Sequence, residues 1–343
     1  MSEIEIRVEG RAGRITLTRP QALNALTYDM VLAVEAALDA WRDDEGVALV
    51  LLDAAGDKAF CAGGDIAALY ASGTAGDFAF GRRFWADEYR VNAKLAEYPK
   101  PVVSLMQGFT MGGGVGLGCH ASHRVVGETS RISMPECGIG LVPDVGGSLL
   151  LARAPGRLGS YLGLTAARLE NGDVIAAGFA DHFIPQAAWP ELVATLCRTG
   201  DPEAVAQASE EAPQGPLSAS AVLIDRLFHS DSLADILAVL RADDSDFAAS
   251  VLKAVTRNSP LAMACTLEML ARLRGTDATI RTALDLEYRV TWRAMEHGDF
   301  LEGIRAAIID KDRKPVWKHG IDTLPPQAVA DMLAPLGDNA LTF

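Results

Sequence analysis

Pro101-Val102-Val103-Ser104-Leu105-Met106 is a continuous, mostly apolar run, and a few residues later it gives way to Gly112-Gly113-Gly114 and a helical pattern from Val115 onward. Such a run, bounded by turn residues, is what a strand covered on both faces requires. The same order occurs earlier, with Val47-Ala48-Leu49-Val50-Leu51-Leu52, then Ala62-Gly63-Gly64-Asp65, then a helical pattern from Ile66. Two strand, glycine-turn, helix units in succession predict a layered α/β core.

Working outward, Ile4 to Val8 alternates, and Arg14-Ile15-Thr16-Leu17-Thr18 alternates again after Gly13, which predicts a two-stranded hairpin ended by Pro20. From Thr27, a helix N-cap residue type, the positions Met30, Val31, Val34, Ala37, Leu38 and Trp41 keep one apolar face at helical spacing, with Gly46 as the stop. Beyond about residue 195 the strand patterns fade. Long helical patterns take over at Ser218 to Phe228, Leu233 to Arg241, Pro260 to Arg274 and Ile280 to Met295. Ala208 to Pro216, rich in Glu, Pro and Gly, reads as a linker. The expected division is therefore a mixed α/β core over residues 1–200 and a mainly helical region over 215–343, with no internal repeat.

Bulk properties narrow the function classes. A chain of 343 residues with 49% hydrophobic and 22% charged content can bury a large core. Its net charge of -14 disfavours general nucleic-acid binding, because phosphate affinity comes from a cationic surface, so an anionic ligand needs a local basic pocket. The five cysteines, Cys61, Cys119, Cys137, Cys197 and Cys265, form no CxxC pair, and no histidine stands at zinc-ligand spacing, so no metal site is expected. Met1-Ser2-Glu3-Ile4-Glu5-Ile6 lacks a basic start followed by an apolar run, and no stretch of about 18 apolar residues occurs. Together these features lead to the expectation of a cytoplasmic protein with no membrane partner.

Glycine clusters before helices serve several chemistries. Leu117 breaks GxGxxG after Gly112 and Gly114, while the looser pattern Gly116, Gly118, Ala121 falls inside the helix rather than at its entry. No GK[ST] follows either cluster, and Ser104 and Ser148 lack the neighbours of a GxSxG elbow. What remains is close backbone approach to a ligand with free amides pointing at it. Two such turns facing one another would offer two N–H donors to one oxygen, the geometry of an oxyanion hole. Either cluster alone reads as well as a tight packing turn. A third element, Met134-Pro135-Glu136-Cys137-Gly138-Ile139-Gly140-Leu141-Val142-Pro143-Asp144-Val145-Gly146-Gly147, sets two carboxylates in a mostly apolar segment, where ionised groups are costly unless used or partnered. The bland alternatives are a turn cap at Glu136 and a cap at Asp144 for a helix beginning near Val145.

Phe60-Cys61-Ala62-Gly63-Gly64-Asp65-Ile66, then Met111-Gly112-Gly113-Gly114-Val115-Gly116-Leu117, then Met134 through Gly147, taken in this order and spacing, resemble the crotonase superfamily. Within it the chain is most similar to the 3-hydroxyisobutyryl-CoA hydrolase branch. The likeness continues in Arg19-Pro20, Asn24-Ala25-Leu26, Tyr161-Leu162, Glu287-Tyr288-Arg289 and Phe300 through Asp312, so it covers nearly the whole chain. The resemblance implies a crotonase-like spiral of ββα units, an acyl-CoA-binding core over 1–200 and a helical C-terminal region over 215–343. It implies oxyanion donors at the backbone N–H of Gly64 and Gly113, an essential carboxylate at Glu136, a second acid at Asp144 and a substrate-pocket acid at Glu88. Coenzyme A contacts are implied at Ala62, Asp65, Ile66 and Lys311, with coenzyme A as part of the substrate and no separate cofactor. A homo-oligomer is usual among crotonases, although a longer helical region could cover the same surface in a monomer.

The implied reaction is hydrolysis of an acyl-CoA thioester, 3-hydroxyisobutyryl-CoA to 3-hydroxyisobutyrate and CoA in valine degradation. Enoyl-CoA hydratases of the same superfamily use a first glutamate just after the Gly-Gly-Gly run; here that position is Gly116, while Asp144 stands where hydratases typically carry glycine. The rivals are an enoyl-CoA hydratase or isomerase and a non-catalytic acyl-CoA-binding protein. Departures from the hydrolase pattern at Cys137, Gly138 and Ala166 bear on substrate choice more than on reaction type. The six histidines show no triad motif, Cys61 and Cys137 read as small buried hydrophobes, and Trp41, Phe84 and Trp85 read as core or subunit contacts.

Overall fold

The computed structural model describes residues 2–275 and 277–343; Met1, the start of the N-terminal stretch read above, lies outside them. The chain forms two compact units, each drawn from several stretches of sequence. The first comprises residues 1–64, 87–133 and 168–218, and the second comprises 65–86, 134–167 and 219–343.

The first unit holds both sheets. Strands β1 (Ile4–Glu9) and β2 (Ala12–Leu17) form the expected hairpin. The two apolar runs become β3 (Leu49–Ala54) and β5 (Val102–Met106), which pair in parallel. With β7 (His123–Val126) and β10 (His182–Phe183) they complete a six-stranded sheet in the order β1-β2-β3-β5-β7-β10. Every residue of β5 is buried, because the apolar run has cover on both faces. One face packs Leu49, Leu51, Val103, Leu105 and Val125 against Leu192, Leu196 and Val205 of the helices Trp189–Thr199 and Glu203–Ala208.

Between successive strands of this sheet the chain detours through a second, four-stranded one. Its members are β4 (Ala59–Cys61), β6 (Phe109–Met111), β8 (Arg131–Ser133) and β9 (Leu169–Glu170), in that order. Thus β3 leads to β4 and then to helices α2 (Ile66–Thr74) and α3 (Phe78–Ala96), while β5 leads to β6 and then to α4 (Gly113–Gly118). This repeated strand, strand, helix order is the expected ββα spiral. The glycine turns do not follow the long strands directly, since a three-residue strand intervenes each time.

Helix α1 (Tyr28–Trp41) starts where the pattern predicts, with the Thr27 hydroxyl accepting from the Met30 amide, and it ends at Trp41, before Gly46. The stretch 208–216 is not a loose linker. Glu210 N donates to Phe183 O at 2.8 Å, Gly172 N donates to Pro213 O at 2.9 Å, and the buried Asp173 carboxylate accepts from Leu217 N at 2.8 Å. Composition pointed to irregular chain, which holds beyond Ala208, but not to these tertiary anchors. After β10 the described elements are helical, among them the long helices Pro260–Leu273 and Ile280–Ala294 of the second unit; α5 (Gly147–Arg153) and α6 (Leu158–Thr165) of the same unit lie earlier in the chain. In that unit the Trp85 and Phe300 rings pack 5.6 Å apart, a core role for Trp85 as expected. Among the described residues no helix is long and apolar enough to cross a membrane.

The loop before α1 positions the first glycine turn. Asn24, buried and at φ 55, accepts from Arg19 N at 2.9 Å and donates to Ala55 O at 3.0 Å and Ala59 O at 2.9 Å. Asparagine tolerates the left-handed region and spends its amide on three backbone partners. The residues on either side of Asn24 dock on the turn, with Leu26 N donating to Gly63 O at 2.9 Å and Leu23 O accepting from Ala62 N at 3.0 Å. Replacing Asn24 with Ala strands those partners, and urea unfolding is expected to show a loss of about 2–3 kcal/mol. A loss well under about 1 kcal/mol would show that the loop is held by something else.

Candidate active site

The site is built from two short parallel strands. Strand β4 pairs with β6, with Ala59 opposite Phe109 and Cys61 opposite Thr110. Side-by-side strands running the same way must deliver their C-terminal turns to the same end, so Gly63-Gly64 and Gly112-Gly113 become neighbours. A Cβ built on Gly113 would lie 3.4 Å from the Gly64 nitrogen, and one built on Gly63 would lie 4.0 Å from the Gly113 nitrogen. Gly112 takes φ 48 and ψ -122 at the entry to α4, and Gly113 is the first residue of that helix, whose leading amides have no intrahelical partner. Among the described residues neither the Gly64 nor the Gly113 amide donates to another group. Two neighbouring, unengaged donors are the minimum an oxyanion hole needs.

Glu88, on α3, stands beside this pair. Its Oε1 lies 2.7 Å from the Cβ position at Gly113, and the residue is 3% exposed. Its sequence neighbour Asp87 turns to other work, accepting from the Tyr28 hydroxyl at 2.5 Å and pairing with Arg90. Leu26 closes the other side, 3.1 Å from the same Cβ position. Any side chain at 113 would therefore fill the space around the two amides. Ala62 lies in the same turn. Asp65 and Ile66 open α2, while Lys311 is exposed at φ 56, just past a π-helical turn at Arg305–Ile309.

In the second unit Glu136 opens a 3-10 turn, Glu136–Ile139, and is 5% exposed. The turn is closed by Leu141 N donating to Glu136 O at 3.0 Å and tied down by Ser259 N donating to Cys137 O at 2.9 Å. Asp144, also 5% exposed, precedes a bend at Val145 (φ 53) and Gly146 (φ 79) that leads into α5. The residue flanking this helix is Gly146, which has no side chain to cap with. Glu287 serves this end of the helix instead, its carboxyl accepting from the flanking Gly146 N at 2.8 Å, from Ser148 N at 3.2 Å and from the Ser148 hydroxyl, while Gly147 N donates to Asp144 O at 2.7 Å. Glu287 is fully buried, and burial, reinforced by the negative charge of Asp144, pushes its carboxyl up to about 8.

The structure thus brings Gly64, Gly113 and Glu88 together in the first unit, while Glu136 and Asp144 belong to the second. Sequence reading assigned Glu287 no role, because its partners are 139 and 141 residues away. The thiols of Cys61 and Cys137 are both pushed up to about 12 by burial, which fits the reading of small apolar fillers rather than nucleophiles. His123 and His182 stack with centroids 6.4 Å apart, on strands β7 and β10.

Burial raises the folded carboxyl of Glu287 from its ordinary 4.5 to about 8, so its contribution to stability is complete below about pH 4.5 and is lost as pH rises through about 8. The melting temperature of the wild-type protein is expected to fall between about pH 5 and about pH 8, and Glu287→Gln should flatten that slope. Identical pH profiles for the two proteins would mean that the carboxyl ionises normally.

The family model described as enoyl-CoA hydratase/isomerase matches residues 12–333. The 3-hydroxyisobutyryl-CoA hydrolase, mitochondrial, of Gallus gallus is 36% identical over 352 residues, covering 99% of this chain and 91% of its own. Among solved structures, an enoyl-CoA hydratase from Rhodobacter sphaeroides 2.4.1 is 60% identical with a TM-score of 0.95, covering 100% of both chains. A carnitinyl-CoA dehydratase from Mycobacterium thermoresistibile is 41% identical with a TM-score of 0.95, covering 100% of this chain and 99% of its own. A match running from residue 12 to residue 333, on a fold shared at that level, makes this chain a member of the enoyl-CoA hydratase/isomerase family, the crotonases.

Proposed function

We propose that the protein hydrolyses an acyl-CoA thioester, with 3-hydroxyisobutyryl-CoA as the substrate and 3-hydroxyisobutyrate and coenzyme A as products, a step of valine degradation. The observation that carries this reading is a pair of unengaged amides, Gly64 and Gly113, with a buried glycine, Gly116, in the helix that one of them begins. The amides suit a thioester carbonyl, whose oxygen gains charge when its carbon is attacked. Hydration of a double bond needs a carboxylate pair for acid and base work, and Gly116 removes one partner.

In this reading Glu136 either attacks the carbonyl carbon, giving a mixed anhydride that water then opens, or takes a proton from an attacking water. Either route breaks the carbon–sulfur bond and releases the thiol after protonation of sulfur. Asp144 positions the acyl hydroxyl or assists proton transfer, and Glu88 orients the acyl group beside Gly113. Ala62, Asp65, Ile66 and Lys311 are the proposed coenzyme A contacts. The names of the curated relatives support hydrolysis. The name of the structure 60% identical to this chain points to hydration instead, and the residue at 116 is the reason for preferring hydrolysis. All five cysteines are free and buried, which fits a reducing compartment, and the cytoplasm is the proposed location.

A panel of acyl-CoA thioesters, followed by thiol release, tests the proposal, with 3-hydroxyisobutyryl-CoA expected to turn over fastest. Loss of enoyl absorbance on an enoyl-CoA without thiol release would replace hydrolysis with hydration. Glu136→Gln should lower turnover by about 10²–10⁴-fold while leaving binding of a coenzyme A ester largely intact. Gly113→Ala, which sets a methyl group against Glu88 and Leu26, should cost about 10²-fold. Asp144→Asn should slow hydroxylated acyl groups most; equal loss on every thioester would make Asp144 a structural residue.

A further inference from the structure

Glu287 sits at 0% exposure within the helix Ile280–Ala294, an expensive place for a carboxyl group unless it is used. What it holds is the chain immediately after Asp144. Val145 adopts φ 53, a left-handed conformation in which a β-branched residue is a genuine outlier, and Gly146 follows at φ 79. Strain of this kind persists only where the surroundings over-determine it, and it concentrates at functional sites. Here the surroundings are specific. Oε2 of Glu287 accepts from Gly146 N at 2.8 Å, Oε1 accepts from Ser148 N at 3.2 Å, and the Ser148 hydroxyl also donates to Oε1. On the near side of the bend, Gly147 N donates to Asp144 O at 2.7 Å. The bend is thus fastened to Asp144 at one end and to Glu287 at the other. A role confined to capping α5 would need no strained residue between the cap and Asp144.

We propose that Glu287 is a positioning residue for Asp144: by pinning Gly146 and Ser148 it locks the Val145-Gly146 bend and so fixes the direction in which the Asp144 side chain leaves the backbone. This rests on the reading that Asp144 acts in thioester hydrolysis. Geometry held this way matters because a displacement of about 1 Å at a reacting group can cost on the order of 10²-fold in rate. Glutamine at 287 keeps the length and one acceptor oxygen but turns an NH2 toward one of the two donating amides, so it keeps part of the contact, whereas alanine removes every contact to the bend.

The test uses the full chain as wild type, Glu287→Gln, Glu287→Ala and Ser148→Ala, with thiol release from 3-hydroxyisobutyryl-CoA and a crystal structure of each variant. In Glu287→Ala the expected result is that Val145 leaves the positive-φ region and kcat falls about 10²-fold with KM changed less than about threefold. Glu287→Gln, which keeps one of the two amide contacts, should give a kcat between those of wild type and Glu287→Ala. A folded Glu287→Ala protein that keeps Val145 at positive φ, or keeps kcat within about threefold of wild type, overturns the proposal. A matched loss of melting temperature in Glu287→Ala and Glu287→Gln, with kcat unchanged in both, also overturns it and leaves a purely structural carboxyl. If Glu287→Ala does not fold, Ser148→Ala decides, since it removes only the hydroxyl contact and must lower kcat without raising KM. A wild-type protein inert on every thioester would sink the proposed function instead, and the φ of Val145 in Glu287→Ala would still decide whether Glu287 locks the bend.

Discussion

The parallel pairing of two three-residue strands, Ala59–Cys61 and Phe109–Met111, is the constraint on which the candidate site depends. Neither strand is long enough to be stable alone, and each follows a longer strand of the large sheet in the chain. Once they pair, the glycine turns after them have to meet, and among the described residues the amides of Gly64 and Gly113 have no acceptor. The loop at Leu23 to Leu26 adds the third side of this arrangement by bonding to Ala59, Ala62 and Gly63. Removing side chains at these positions is what allows three backbone segments to approach so closely.

The acidic residues obey a different logic. Carboxylates in apolar surroundings are costly, and this chain keeps several of them. Glu88 and Asp87 are adjacent in sequence, yet one is buried against Gly113 and the other is committed to Tyr28 and Arg90. Glu136 and Asp144 each sit at the edge of a turn rather than inside a regular element, where the backbone can be shaped around them. Glu287 shows how such a turn is maintained, with a carboxyl from a distant helix taking the place of the N-cap side chain that Gly146 lacks.

Family membership and reaction type are separate questions in this fold. The match over residues 12–333 settles the first. Relatives and structures with hydrolase, hydratase and dehydratase names match this chain over most of its length, so membership of the family does not by itself name the reaction. In the proposed reading the carboxylates, not the scaffold, separate the reactions. On that reading Gly116 and Asp144 are more informative than overall identity, including the 60% identity to a structure named as a hydratase.

Much of the scaffold was legible as pattern. Continuous apolar runs at 47–52 and 101–106 gave β3 and β5 because burial on both faces leaves no polar alternation, and Thr27 marked the start of α1 because its hydroxyl accepts a helix amide. The residue types at 64, 113, 136 and 144, with their order, pointed to the chemistry through resemblance to the crotonases. Strands β4, β6 and β8 were not legible, since three residues carry no periodicity. Nor were the anchors of 208–216 or the part played by Glu287, since a hydrogen bond spanning 141 residues leaves no local trace. Linear order encodes what each segment can become, through its apolar spacing and its caps; which amides stay free and which carboxyl holds which bend are settled when distant segments pack.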